Sequence, residues 1–77
     1  MSRQRTWHWE VWRDDCHIIY FPTLAAAERY AHRYVAVADE RGFARGAAIH
    51  HDFHEVATVR MDGAGRVWTD VIDGAMA

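Results

Sequence analysis

Apolar and polar positions alternate through TWHWEVWR, residues 6–13, with Trp7, Trp9 and Val11 in one register and Thr6, His8, Glu10 and Trp12 in the other. A period of two is that of a half-buried strand. Arg13-Asp14-Asp15-Cys16 then reads as a turn, because acidic residues tolerate turn backbone and bond to it locally. The β-rich run HIIYF, residues 17–21, follows so closely that the two strands are expected to pair as an antiparallel hairpin.

The period changes after Pro22, which ends the strand. Thr23 is a good helix cap, since its hydroxyl accepts from free amides of the first turn. Leu24, Ala27, Ala31, Tyr34, Val35 and Ala38 recur at helical spacing, and Glu28, Arg29, His32, Arg33, Asp39 and Glu40 occupy the other side. The pattern predicts a helix over residues 23–41. Gly42 takes the left-handed position after it, and Phe43 folds back onto Ala38. The alanine-rich stripe lets such a helix lie close against a sheet.

A third strand-like run, residues 48–61, has Ile49, Phe53, Ala57, Val59 and Met61 in one register and His50, Asp52, His54, Val56 and Thr58 in the other. It is long for one strand, so a bulge or break is expected near Asp52. DGAG at residues 62–65 is a hairpin turn, and RVWTDVID is the last strand. The expected fold is therefore α+β, a ββαββ chain with a four-stranded antiparallel sheet and one helix packed on one face. Residues 1–77 form a single domain, with a core over about 6–73 and frayed ends at 1–5 and 74–77. The strand pair, the FPTLAAAERYA helix entry and the strand pair around DGAGR resemble small bacterial ββαββ domains, over residues 8–72. That resemblance implies the fold and carries no functional residue across.

One helix covers only one face of a sheet. The other must be solvated, paired or bound. Trp7, Trp9 and Val11 form the larger apolar set and are assigned to the core. Trp12 and His8 then lie on the uncovered face, extended by Tyr20 or Ile18 of the paired strand.

Composition sharpens this expectation. A 77-residue chain is close to the size at which one core barely suffices, and a single cysteine, Cys16, excludes an internal disulfide. Burial gained from a partner, most simply a second copy in a homodimer, is the expected remedy. All nine basic residues are arginine, and the net charge is only −2, so no strong field selects a nucleic acid or a membrane. Without an apolar leader or an 18-residue apolar run, and with one cysteine, the chain reads as cytoplasmic.

Candidate chemistry is sparse. HHDFH at residues 50–54 is the sharpest local feature, with His50, His54 and Asp52 as possible metal ligands. On a continuous strand His50 and His54 share a face but stand about 13 Å apart, and His51 faces away. Cys16 sits in a turn with no activating helix terminus, and no glycine-rich phosphate loop is present. The sequence thus points to a non-enzymatic protein without a cofactor. Tryptophan, tyrosine and arginine dominate interface energies, and the reading is a small protein–protein interaction module contacting its partner through Trp12, His8, Tyr20, Arg29 and Arg33. Inhibitors of larger machines used by phages and mobile elements, anti-CRISPR proteins among them, are modules of this kind. The alternatives are a domain that stacks single-stranded nucleic acid on its sheet tryptophans and a histidine-cluster metal protein.

Overall fold

A computed structural model describes residues 7–38 and 40–72. In chain order they form β1 (Trp9–Arg13), β2 (Ile18–Phe21), α1 (Leu24–Val35), β3 (Ala47–His51), β4 (His54–Met61) and β5 (Val67–Val71). The strands make one antiparallel sheet in the order β2-β1-β3-β4-β5, with α1 across one face. The fold is α+β with one helix, but the sheet has five strands and not four. The long third run reverses direction completely at Asp52 and Phe53, where both residues adopt positive φ, +51° and +69°. Such a pair is the geometry of a two-residue hairpin turn whose twist matches its strands. The frayed ends expected at 1–5 and 74–77 lie outside the described residues.

A second irregularity shapes the core. Ile49 pairs with Ala57 but His50 pairs with Glu55, so β4 carries one extra residue, Val56, at a bulge. Val56 and Ala57 are both buried as a result, where strict alternation would have turned one of them out. The other two hairpins share one turn design. The Cys16 amide donates to Arg13 and the Gly65 amide to Asp62, with left-handed residues at Cys16 (+72°) and Gly65 (+86°). Glycine adopts this conformation freely, whereas a cysteine there is held against its preference.

Thr23 caps α1 as its sequence implies, its Oγ1 accepting from the Ala26 amide at 3.2 Å. The helix ends at Val35, well short of residue 41. Ala38 is exposed and belongs to the return loop. Val35 is the last residue to reach the sheet, and a helix without an apolar surface to cover gains little from another turn. Gly42 has its positive φ (+88°) within that loop, and Phe43 stays exposed under the Arg41 guanidinium instead of folding onto Ala38.

The core lies between α1 and the middle of the sheet. Ala27, Ala31 and Val35 are fully buried against Val11, Ala47, Ile49, Val56, Ala57 and Val59, with Leu24, Trp9, Phe21 and Met61 packed around them. Trp7, expected in this core, is 52% exposed and lies outside it. It precedes β1, which begins at Trp9. Polar contacts close one end of the layer. Arg13 donates to the Tyr30 hydroxyl at 3.1 Å and to Asp15, while Asp14 accepts from Tyr34 at 2.5 Å and from the Gly46 amide at 2.8 Å. The bond to Asp15 holds the Arg13 guanidinium charged against partial burial. Burial, reinforced by the bond to Asp14, pushes the Tyr34 phenol up.

Ala31 has no room for a larger polar group. Ala31→Asp is expected to destabilise the fold by several kcal/mol, because it buries a carboxylate without a partner. Denaturant unfolding checks this; parent-like stability would show that the helix turns another side to the sheet.

Candidate interaction surface

The helix-free face is built by the alternate residues of each strand. Tyr20 and Ile18 of β2 stand beside Glu10 and Trp12 of β1, followed by Ala48 and His50, then Thr58 and Arg60, then Trp68 and Asp70 at the far edge. Trp12 stacks on His50 with ring centroids 4.2 Å apart and planes 10° apart. On the other side of the face the Arg60 guanidinium lies 5.3 Å from the Trp68 ring and 3.5 Å from the Asp70 carboxylate. Between these two ridges the sheet presents only Ala48 and Thr58. Small residues flanked by large ones leave a groove, a cavity of about 380 Å³ bounded by Trp12, Asp14, Gly46 and Arg60. Trp12 Nε1 and His50 Nδ1 are shielded from solvent with no hydrogen-bond partner.

A second recess lies at the β3–β4 turn. Glu10 is 1% exposed, on the face that the helix leaves open. Its Oε1 accepts from the Phe53 amide at 3.1 Å. Trp7, His8, Tyr20, Asp52 and Phe53 surround it and enclose about 160 Å³. Asp52 is tied twice to His8, just before β1: its amide donates to the His8 carbonyl at 2.9 Å, and its carboxylate lies 3.0 Å from His8 Nδ1. The turn is built without glycine. Asp tolerates positive φ, but a phenylalanine there costs about 1–2 kcal/mol, and its ring is 65% exposed and contributes nothing to the core.

The residues singled out in the sequence are thus divided. Trp12 and Tyr20 share the helix-free face, and His8 stands at its end beside the turn. Arg29 and Arg33 lie exposed on α1, across the sheet from the others, so the five do not form one continuous surface. His50 and His54 do not share a face. The reversal sets His54 opposite His51, and the bulge leaves His50 paired with Glu55 on the Trp12 side. His51 stacks on Trp9 at 4.0 Å on the opposite side of the sheet. Among the described residues no three His, Cys, Asp or Glu side chains converge as metal ligands, and no helix is long and apolar enough to cross a membrane.

Sequence reasoning missed Ala48, Thr58 and Arg60 as parts of one groove with Trp12, because their proximity depends on a strand order that no local pattern encodes. It also missed Glu10 and Phe53 as a pair. A buried acid beside aromatic residues is visible only once the turn is formed. No protein-family model, curated protein or solved structure matches the chain.

Proposed function

We propose that this chain is a small protein-binding module that acts by occupying the surface of a larger partner, with no chemistry of its own. The groove between Trp12 and Arg60 carries this reading. A floor of small residues between an indole and a guanidinium is the form of an interface pocket that receives one bulky side chain. Trp68, 40% exposed, and Ile18 extend the apolar surface on either side, and Asp14, Arg60 and Asp70 supply a charged rim of both signs. Inhibitors that phages and mobile elements direct against larger machines, the anti-CRISPR class included, work by this kind of occupancy. The lone thiol of Cys16 suits a reducing compartment such as the cytoplasm.

Sheet stacking of single-stranded nucleic acid has less support. Of the four tryptophans Trp12 lines the groove and Trp68 stands beside it, and each is already stacked, on His50 and under Arg60. Capture from host lysate followed by affinity measurement with the purified partner tests the reading. Trp12→Thr and Trp68→Thr are each expected to weaken the complex roughly 30-fold, about 2 kcal/mol, while Arg29→Glu with Arg33→Glu leaves it unchanged. Loss on the helix variant alone would assign the interface to α1. Salt-sensitive submicromolar binding of single-stranded RNA or DNA would favour nucleic-acid recognition instead.

The homodimer has a distinct place in this reading, the edge of β5 that no other described strand pairs. The Asp62 amide donates to Arg66 and the Ile72 amide to Val56, so ladder alternation turns the amides of Val67, Thr69 and Val71 outward. Pairing with a second copy about Thr69 sets Val67 against Val71 and Trp68 against Asp70, with no like charges opposed. At high protein concentration those three amides are expected to gain hydrogen-exchange protection that dilution removes, while Trp68 and Asp70 stay protected throughout. Equal exchange at every concentration would exclude this dimer.

A further inference from the structure

We infer that the recess around Glu10 is a binding site for a methylated ammonium group, such as the side chain of a methylated lysine. Three aromatic residues, Trp7, Tyr20 and Phe53, line it together with the carboxylates of Glu10 and Asp52. Aromatic faces attract cations through their ring quadrupoles, and grouped aromatic walls are the general solution for quaternary ammonium ions. The Glu10 carboxyl group that lines the recess is fixed in place. Glu10 is withdrawn from solvent, and its Oε1 holds the Phe53 amide.

Phe53 supplies an independent argument. It occupies a left-handed turn position that favours glycine, with φ +69°. Its ring is largely exposed and packs into no core. Backbone strain that brings the fold no packing marks a position kept for another purpose. Phe53 lines the recess together with Tyr20 and Trp7. The size, about 160 Å³, admits a trimethylammonium head. The aromatic faces suit the methyl groups of such a cation, and the carboxylates its charge. This site is separate from the Trp12–Arg60 groove, and neither depends on the other.

The test is titration of the intact chain with tetramethylammonium, with neopentyl alcohol as its uncharged match in shape and guanidinium as a planar cation. The readouts are the Trp7 indole and Phe53 amide resonances. Tetramethylammonium is expected to shift both, and neither of the other probes to do so at equal concentration. Phe53→Gly separates binding from folding, because it relieves the turn and removes the ring. It is expected to melt no lower than the parent and to bind tetramethylammonium roughly tenfold more weakly. Glu10→Gln, which keeps the acceptor for the Phe53 amide, is expected to weaken binding similarly. No response to tetramethylammonium, an equal response to neopentyl alcohol, a stronger response to guanidinium, or parent-like binding by Phe53→Gly would each overturn the assignment.

Discussion

Ala27, Ala31 and Val35 rest without exposure on Val11, Ile49 and their neighbours, and this contact governs the rest of the molecule. A stripe of alanines brings the helix axis close to the sheet, so the apolar layer is thin and its side chains small. Twelve helical residues cannot cover five strands on both faces. The chain therefore has one dry face and one open one. Trp12, Tyr20 and Trp68 stand on the open face, while Trp9, Phe21, Tyr30 and Tyr34 are confined to the margin of the dry layer. Trp9 reaches only its margin, stacked on His51.

The open face is differentiated by its two ends. Toward the β1–β2 turn, Ala48 and Thr58 leave a trough between Trp12 and Arg60. Toward the β3–β4 turn, Glu10 accepts from the Phe53 amide, and His8 contacts Asp52 of the same turn. The first end offers shape to an apolar side chain, and the second offers charge within aromatic walls. The polar network of Arg13, Asp14, Asp15 and Tyr34 fixes the β1–β2 turn that borders the trough. Burial pushes the Asp15 carboxyl up, but hydrogen bonds from Arg13 and His17 outweigh it and hold it below the usual carboxylate range. The network therefore keeps its ionic character at neutral pH.

The sequence made the helix entry legible through Thr23, and its buried side through the spacing of Ala27, Ala31 and Val35, since both depend on local chemistry alone. The β1–β2 and β4–β5 hairpins were legible for the same reason. The fifth strand was not, because no glycine marks the turn at Asp52 and Phe53; the turn is held by Glu10, 43 residues earlier in the chain. The helix end was misread because Ala38 continues the apolar spacing, although the sheet beneath it has already ended. Trp12 and Tyr20 could be assigned together from strand parity, whereas Arg29 and Arg33 were grouped with them by residue type, which says nothing about the side of the sheet. The groove floor of Ala48 and Thr58 gave no signal at all, since small residues are informative only beside known large neighbours.

The two faces of β1 have opposite roles, and unfolding measurements on its neighbouring residues test this directly. Val11→Ala removes two methyl groups from the dry layer and is predicted to cost about 2 kcal/mol or more. Trp12→Thr removes a whole indole from the open face and is predicted to cost about 1 kcal/mol or less, the scale of a cross-strand pair on an exposed sheet. The smaller deletion is thus the more damaging one. A cost of about 3–5 kcal/mol for Trp12→Thr, the scale of a buried aromatic residue, together with a mild Val11→Ala, would contradict the account by showing that the core lies on the Trp12 side.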